Sequence, residues 1–357
     1  MPGLRHDRAV PDPSRDLQPL AAYPGVTARR LVEVSHDLAS LSEGGRWAVA
    51  ITFEGDVTLA RFQEWSADPP TAVEIGRWHG PQVTDWADSL PQRDYVTGVS
   101  TIRERIAAGD VYQVNLCRVL SARLPDPTAA DPAALWRHLR EGNPAPYQGF
   151  LRLPGTAIVS ASPELFLRRR DGVLTSGPIK GTAVEAAGLT DKDRAENVMI
   201  VDLVRNDLGV IAAPGSVEVP EFLAVEAHPG LVHLVSGVSA RLRPGAGWPE
   251  VLAATFPPGS VSGAPKSSAL RIIAELEPAA RGPYCGAIGW VDADTATASL
   301  AVGIRTFWQS GGEDSPTLHF GTGAGITWGS DADGEWAETE LKAANLMAVA
   351  AGHTPWL

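Results

Sequence analysis

Three things are scarce in this sequence: cysteine, long apolar stretches and runs of basic residues. Its 357 residues include two cysteines, Cys117 and Cys285, which stand far apart and without metal-ligand spacing. We interpret both as buried small residues. Two unpaired cysteines and no recognisable export signal favour a reducing, cytoplasmic compartment. No apolar stretch approaches the length of a membrane span, which argues against an integral membrane protein.

Positive charge is limited as well. The chain carries 30 Lys and Arg residues against 42 Asp and Glu residues, a formal net charge of -12. Residues 168–170 are three arginines, which we interpret as a solvated strand end or hairpin and not as a nucleic-acid footprint. A protein this acidic binds an anionic ligand only if cations are placed locally for that purpose.

What the chain does contain is an alternation of helical and extended patterns. Residues up to about 90 are rich in Pro and Asp, with modest strand patterns at 47–53 and 57–62. The later patterns predict helices over 95–108, 133–141, 191–208, 265–276 and 335–351. They predict strands over 111–116, 148–153, 157–161, 164–169, 216–222, 232–241, 285–291, 297–307 and 317–321. Strands that come in groups between helices favour a single α+β domain built of layers, and they argue against a doubly wound sheet.

A lysine in an unusual setting stands at position 180. Lys180 lies between a Gly-Pro turn and a Gly-Thr turn, with small or apolar neighbours. The flanking glycines allow other groups to approach the backbone closely. Desolvation there would favour the neutral, nucleophilic amine. Taken alone, the segment also fits an ordinary lysine at a strand end.

Two pairs of carboxylates have helical spacing. Asp193 and Glu196 form one i, i+3 pair, and Glu335 and Glu338 form the other. Either pair alone is explained by acidic residues that complement a helix dipole. Two such pairs facing each other would make an oxygen-rich site suited to Mg²⁺. Glu338 and Lys342, spaced i, i+4, also fit a surface salt bridge.

Two glycine- and proline-rich segments could present backbone amides to an anion. The segment 257–267 leads into a predicted helix, but Pro265 stands where a nucleotide P-loop needs glycine, so we reject ATP binding there. The segment 321–326 follows a strand without leading to a helix, which excludes a dinucleotide fingerprint. A well-capped helix and a tightly packed strand are the structural alternatives.

Isolated polar residues on predicted strands complete the candidates. Arg305 lies in an otherwise apolar strand, so its charge needs a partner if it is buried, and a bound carboxylate would serve. Glu164, His233 and Tyr284 are likewise single polar residues on or beside predicted strands. For His233 a satisfied core histidine is the simpler interpretation.

The order of these motifs resembles the chorismate-using enzymes over about residues 93–350. The motifs are Gly109-Asp-Val-Tyr-Gln-Val-Asn-Leu116, Ser162-Pro-Glu164, Pro178-Ile-Lys-Gly-Thr182, Glu196-Asn-Val-Met-Ile-Val-Asp-Leu-Val-Arg-Asn-Asp207, His233-Leu-Val-Ser236, Ser262-Gly-Ala-Pro-Lys266, Arg281-Gly-Pro-Tyr-Cys-Gly286, Ile304-Arg-Thr306, Gly323-Ala-Gly-Ile326 and Ala337-Glu-Thr339. The resemblance implies an α+β fold of layered antiparallel sheets packed face to face with helices outside. It divides the chain into a variable N-terminal portion (1–92), a chorismate-binding core (93–351) and a tail (352–357).

Two side chains select a branch of this family. The water-adding enzymes carry a lysine base where this chain has Gln113, and anthranilate synthases usually carry Ala where Lys180 stands. Gln113 together with Lys180 resembles aminodeoxychorismate synthase component I, which supplies para-aminobenzoate for folate or a specialised metabolite. Anthranilate synthase is the nearest alternative. An isochorismate or salicylate synthase, or a non-catalytic chorismate-binding subunit, fits less well.

The resemblance also assigns roles to residues. Lys180 is the nucleophile, and Glu164 is the acid that protonates the departing hydroxyl. Mg²⁺ is held chiefly by Glu196 and Glu338, with Asp193 and Glu335 nearby. The substrate contacts it implies are Gln113, Gly181, Thr182, His233, Ser260, Tyr284, Arg305, Gly323, Ala324, Gly325 and Lys342.

One partner protein is implied as well. Ammonia in this family normally comes from a glutamine amidotransferase subunit, and this chain shows no Cys-centred amidotransferase domain. We therefore expect a separate partner. Ala183-Val184 departs from the family pattern, because many relatives carry a basic residue after the Gly-Thr.

Overall fold

The computed structural model describes residues 17–183, 185–228, 231–312 and 315–352. Most of the predicted tail, residues 353–357, lies outside this part, as do residues 1–16 of the N-terminal portion and Val184 of the departing Ala183-Val184 pair. Among the described residues, no helix is both long and apolar enough to cross a membrane.

The helices begin where the sequence supplies capping side chains. They are α1 (Gln92–Ala107), α2 (Pro132–Gly142), α3 (Asp191–Ile211), α4 (Trp248–Thr255), α5 (Lys266–Leu276) and α6 (Ala332–Ala350). Asp131, Thr190 and Asp331 cap α2, α3 and α6 by accepting hydrogen bonds from backbone amides of the first turn. These caps explain why the predicted starts of α2 and α3 agree with the structure to within a residue.

The strands of the described chain are short to medium in length. They are β1 (Leu20–Tyr23), β2 (Val26–Ser35), β3 (Arg46–Ile51), β4 (Val57–Ser66), β5 (Ala87–Asp88), β6 (Gln113–Arg123), β7 (Gly149–Leu153), β8 (Thr156–Ser160), β9 (Leu165–Arg170), β10 (Val173–Gly177), β11 (Ile179–Ala183), β12 (Glu218–His228), β13 (Leu231–Arg241), β14 (Gly263–Ala264), β15 (Ala287–Asp292), β16 (Thr297–Val302), β17 (Thr306–Ser310) and β18 (Thr317–Ile326).

These strands form one continuous antiparallel network. Following the pairings from neighbour to neighbour gives the order β6-β18-β17-β8-β7-β1-β2-β4-β3-β15-β16-β9-β10-β13-β12. β11 continues the line of β10 along β13, and β5 and β14 pair with β6. The arginines at 168–170 lead into the tight β9–β10 hairpin, as the sequence predicts, with Arg168 and Arg170 exposed and Arg169 half-buried.

The network folds back on itself so that its two halves face each other. Ile158 of β8 and Ile288 of β15, six strands apart in the order above, belong to the same buried cluster as Ala48, Ala60 and Leu151. The half that contains β6, β18 and β17 is covered by α2 and α6, and the other half by α3 and α4. α1 and α5 pack on the end of β6 and β18. The predicted α+β layering, with helices outside, is confirmed.

Some predicted element boundaries were wrong. Residues 297–307 form two strands, β16 and β17, because Gly303 packs against the carbonyl of Pro283 and Arg305 adopts a left-handed backbone with φ 52°. The helix α4 was not predicted, since its eight residues are too short and too apolar to show a helical period. Cys117 and Cys285 are buried free thiols, as expected.

Candidate active site

The candidate site lies where the chain crosses from one half of the sheet to the other. One crossover joins β8 to β9 and contains Glu164, and the other joins β16 to β17 and contains Arg305. Backbone hydrogen bonds connect the two crossovers, from Val302 to the Glu164 carbonyl (3.1 Å) and from Ala161 to the Arg305 carbonyl (3.0 Å). Because the strand ladder is interrupted here, polar side chains are placed between the two halves.

Glu164 is held in a buried position by two neighbours. The Ser260 hydroxyl donates to Glu164 Oε1 at 2.5 Å, and the backbone of Ile179 also hydrogen-bonds the carboxylate. Burial raises the pKa of Glu164 to about 7, although Ser260, Lys180 and Ile179 act in the opposite direction. A carboxyl group with this pKa holds a proton near neutral pH and can release it, as a general acid must.

Lys180 lies beside this acid. Its Nζ donates to the carbonyl of Ser260 at 3.2 Å, so Ser260 contacts Glu164 through its hydroxyl and Lys180 through its backbone. Lys180 is also close enough to lower the pKa of Glu164 electrostatically. The structure thus brings the predicted nucleophile and the predicted acid to one point.

Gln113 faces the same point from β6. A Cβ built on Gly325 would overlap Gln113 Nε2 and would lie 3.6 Å from Lys180 Nζ, so both nitrogens face this glycine. The Gln113 side chain is almost fully buried, and its Oε1 has no hydrogen-bond partner in the described chain. An unpaired buried acceptor is costly unless a ligand or water satisfies it.

The backbone after Lys180 is shaped by a glycine. Gly181 has φ +83°, and a Cβ there would lie 2.8 Å from Asp193 Cβ, so α3 can approach β11 only with glycine at this position. Thr182 pairs with His233 in the β11–β13 register. The side chain of Thr182 is outside the described part of the structure.

Arg305 has the environment that the sequence predicts for an anion-binding arginine. Its guanidinium is half-buried and makes no hydrogen bond or ion pair with the described residues. Desolvation accordingly lowers the pKa of Arg305, with no acidic neighbour to oppose it. A half-buried, unpaired guanidinium is suited to a ligand carboxylate, which it can bind through two parallel hydrogen bonds.

The Gly323-Ala324-Gly325 segment borders this space. β17 pairs with β18 only over Thr317–Phe320, whereas β6 pairs with β18 as far as Ile326, so these three residues have β6 on one edge and no described strand on the other. The Gly323 carbonyl accepts from Lys342 Nζ at 3.0 Å. The segment is a regular strand, which agrees with the tightly packed strand considered in the sequence analysis. Its free edge faces the part of the sheet where the strand ladder is interrupted.

The predicted carboxylates gather at the starts of α3 and α6, with an ammonium among them. Lys192 Nζ lies 3.2 Å from Glu335 Oε1 and 3.8 Å from Glu196 Oε1. Burial raises the pKa of Glu196, and Lys180 and Lys192 oppose that rise. Glu335, which is almost fully buried, also accepts from the Ser330 hydroxyl at 2.5 Å. The sequence analysis did not identify Lys192, although its i, i+4 spacing to Glu196 was a usable signal.

The other two predicted ligands have partners of their own. Glu338 forms the expected salt bridge with Lys342 at 2.7 Å. Its pKa is lowered, because Lys342, Lys192 and Lys180 together outweigh the desolvation that would raise it. Asp193 accepts from the Thr190 backbone and hydroxyl in a capping box that starts α3. In the described chain, no three His, Cys, Asp or Glu side chains converge closely enough to hold a metal ion.

Tyr284 and His233 are both buried near the site. The Tyr284 ring packs over Gly321, and its hydroxyl lies 3.8 Å from Cys117 Sγ. Burial raises the pKa of Tyr284, so its hydroxyl keeps its proton. His233 lies in β13 opposite Thr182 and Glu226. Their substrate contacts stay predictions.

Two buried ion pairs explain motif residues that carry no predicted chemistry. Lys266 at the start of α5 contacts Asp207 of α3 at 2.6 Å. Arg281 pairs with Glu277 at 2.6 Å and donates to the carbonyls of Val261 and Asn115. These contacts fasten the loop that carries Ser260, and breaking a buried pair of this kind is strongly destabilising.

A fold and a site of this kind define a class: α+β enzymes that hold a small anionic substrate where an antiparallel sheet is interrupted. The chain belongs to the chorismate binding enzymes, whose family description matches residues 63–348. This match covers most of the chain and confirms the resemblance seen in the sequence motifs.

Similar proteins with established names fall into two groups. "Anthranilate synthase component 1" of Streptomyces coelicolor is 40% identical over 291 residues, 78% of this chain and 55% of that protein. "Aminodeoxychorismate synthase component 1" of Klebsiella aerogenes is 39% identical over 267 residues, 71% of this chain and 57% of that protein. This chain therefore spans little more than half the length of these two curated relatives.

Solved structures agree on the fold. Anthranilate synthase component I from Streptococcus pneumoniae has a TM-score of 0.77 at 25% identity, covering 96% of this chain and 95% of that one. A 2,3-dihydroxybenzoate-specific isochorismate synthase from Bacillus anthracis also has a TM-score of 0.77, at 24% identity, covering 94% of this chain and 96% of that one. Because both activities share the fold, the reaction must be argued from side chains.

Proposed function

We propose that this chain is an aminodeoxychorismate synthase component I. It would convert chorismate and ammonia into 4-amino-4-deoxychorismate and water, with the ammonia supplied by a separate glutamine amidotransferase. The observation that carries this proposal is the meeting of Lys180, Gln113 and Glu164 around Gly325 and Ser260. An amine, a neutral amide and a protonated acid suit nucleophilic attack and loss of a hydroxyl group.

Local cations would bind the dianionic substrate on this acidic protein. Arg305, which has no acidic partner among the described residues, suits the enolpyruvyl carboxylate, and the free edge of Gly323-Ala324-Gly325 borders the same space. Lys342 connects that edge to Glu338. With its carboxylate held in this way, the substrate would have its ring beside Lys180.

A magnesium ion is part of the proposal. Glu196 and Glu338, with Glu335 and Asp193 nearby, offer only carboxylate oxygens, which is the donor chemistry that Mg²⁺ prefers. The Lys192 ammonium, which lies 3.8 Å from Glu196 Oε1 and 3.2 Å from Glu335 Oε1, supports a cation site at this place. When bound, Mg²⁺ would hold the ring carboxylate and act as a Lewis acid.

The residues of this chain would carry the remaining steps. The Lys180 amine attacks C2 of chorismate as the double bonds shift, and the C4 hydroxyl leaves as water with a proton from Glu164. Ammonia then forms the bond at C4, the double bonds shift back, and the bond between Lys180 and C2 breaks. The enolpyruvyl group is retained. Gln113 lacks a basic amine with which to activate water, which favours ammonia as the incoming nucleophile.

The test is an assay of the purified chain with chorismate, Mg²⁺ and ammonium, with products identified by mass spectrometry. We expect 4-amino-4-deoxychorismate and no release of pyruvate. When ammonium is withheld, intact-mass analysis should show an adduct equal to chorismate less one water. Lys180→Met should abolish this adduct, and Lys266→Arg, which keeps the cation that pairs with Asp207, should retain it.

Anthranilate synthase is the second candidate, favoured by the names of half of the relatives described above. It would release pyruvate and form a fluorescent product in the same assay. Pyruvate formation in the absence of an added lyase would therefore replace our proposal with this one. Tight chorismate binding without any turnover would instead indicate a non-catalytic subunit.

A further inference from the structure

Lysine is rare in this protein, and its placement is selective. Of the 30 Lys and Arg residues, four are lysines: Lys180, Lys192, Lys266 and Lys342. Lys180 and Lys342 contact the candidate site, and Lys266 forms a buried ion pair. Because arginine supplies nearly all other positive charge, a lysine at 192 suggests a position that requires a compact, mobile ammonium.

The contacts of Lys192 are with the proposed metal ligands. Its Nζ lies 3.2 Å from Glu335 Oε1 and 3.8 Å from Glu196 Oε1, and it also interacts electrostatically with Glu338. Lys192 therefore contacts two of the four proposed ligands directly, whereas the direct partner of Glu338 is Lys342. Glu335 itself is almost fully buried, so an ionised carboxylate there needs a nearby cation.

The Lys192 side chain is also free to move away. It stands in the first turn of α3, and about half of the side chain (49%) is exposed to solvent. A flexible four-carbon stem at a helix start can swing its ammonium into water without disturbing the backbone. Arginine would bind two carboxylates through its planar fork and would be harder to displace.

We propose that Lys192 is a built-in counter-ion that occupies the carboxylate cluster until a divalent cation displaces it. This inference rests on the magnesium site of the proposed function. Lys192 keeps Glu196 and Glu335 together in the metal-free protein, and it weakens metal binding by competing for the same oxygens. The carboxylates are thereby preorganised, while the affinity for the metal stays moderate enough for it to exchange.

The test is isothermal titration of Mg²⁺ into the full chain, with thermal unfolding measured in parallel. Lys192→Met keeps the apolar stem and removes the charge, so we expect Mg²⁺ to bind about tenfold more tightly, as loss of one half-exposed competing charge would produce. The same variant should melt at a lower temperature than wild type without Mg²⁺, and the gap should close when Mg²⁺ is saturating.

Two matched variants control for other effects. Lys192→Arg keeps the charge and should bind Mg²⁺ no more tightly than wild type. Arg194→Met removes an exposed cation from the same helical turn and should change the Mg²⁺ affinity less than twofold. If Lys192→Met does not fold, Lys192→Gln supplies the same comparison.

The possible outcomes distinguish the magnesium site itself from the counter-ion role of Lys192. Failure of the wild-type chain to bind Mg²⁺, with or without chorismate, would remove the metal from the proposed function. Wild-type binding together with unchanged or weaker binding by Lys192→Met would overturn the counter-ion role and leave the metal site standing.

Discussion

Glu164 illustrates how one residue acquires its chemistry from its surroundings. Glutamate side chains are usually exposed to solvent, yet the β8–β9 crossover buries Glu164 between Ser260 and Lys180. Burial raises the pKa of Glu164 to about 7, against a usual value of 4.5. The acid function proposed for Glu164 therefore depends on the position of the crossover more than on the residue type.

The pH dependence of activity and stability follows from this pKa. Glu164 must be protonated to act, so kcat should fall as pH rises through about 7, and Glu164→Gln should lower kcat by about 10²- to 10⁴-fold. The folded state retains a proton that the unfolded chain releases between pH 4.5 and 7, so the contribution of this group to stability declines across that window.

Thermal unfolding tests the sign of this effect. Relative to wild type, Glu164→Gln should gain stability above pH 7, where the wild-type carboxylate must ionise in a buried place, and it should gain least below pH 4.5. A constant difference between the two proteins across this range would contradict the raised pKa of Glu164.

The absence of a side chain at Gly325 sets the position of the Gln113 amide. The Gly325 Cα leaves room for Gln113 Nε2, and an added methyl group would displace that amide beside Lys180. Gly325→Ala should lower kcat/KM at least tenfold, because a shift of about 1 Å in a reacting group can cost about 10²-fold. Gly329→Ala, where an added Cβ meets no atom within 4 Å, should retain activity. Equal activity of the two variants would argue against a role for Gln113.

At the scale of elements, two helix starts bring the carboxylates together. Thr190 begins α3 and Asp331 begins α6, and the first turns of both helices carry the acidic residues. The positive ends of the helix dipoles stabilise these carboxylates, which explains why acidic residues collect here. The capping role of Asp193 and the metal role proposed for its neighbours thus use the same turn.

The stability of α3 offers a test that is independent of catalysis. Gly209 is exposed near the end of α3, and a Cβ there meets no atom within 4 Å. Gly209→Ala should raise the free energy of unfolding by about 1 kcal/mol, through helix propensity alone, with unchanged activity. Gly181→Ala should have the opposite effect, because Gly181 has φ +83° and would meet Asp193.

Urea denaturation distinguishes the two glycines. If Gly209→Ala proves neutral or destabilising, the end of α3 is not helical in solution. If Gly181→Ala proves harmless, the close approach of β11 to α3 is not required.

At the scale of the whole molecule, the proposed reaction depends on a supply of ammonia. The isolated chain should form product with ammonium and none above background with glutamine. Adding a glutamine amidotransferase partner should make glutamine effective, because ammonia would then be generated in the complex. Chromatography of formed product against each nitrogen source measures both activities. Use of glutamine by the chain alone would rule out the need for a partner.

The interleaving of strands explains why the molecule behaves as one unit. β1 and β3 of the N-terminal portion pair with β7 and β15 of the later chain, so the front and the back share one sheet. The two crossovers lie inside this shared sheet. The N-terminal portion can therefore influence the geometry of the site without contributing a predicted catalytic residue.

The sequence by itself determined the starts of α2 and α3, the layered fold class and the family. The i, i+3 carboxylate pairs are local features, so the placement of Asp193 and Glu196 on one helix face could be interpreted from spacing alone. The motifs around Lys180, Glu164 and Arg305 also predicted the residue types of the site. Local sequence carries this information because helix capping and periodicity involve neighbours along the chain.

Only the tertiary structure decided which of these residues meet. It brought Lys180 to Ser260 and Glu164, divided residues 297–307 into two strands at Arg305, and placed Lys192 among the carboxylates. These contacts join residues tens to more than a hundred positions apart, and no local pattern encodes them. They depend on how an antiparallel sheet folds back on itself, because that folding sets which buried charges have partners and which are left for a ligand.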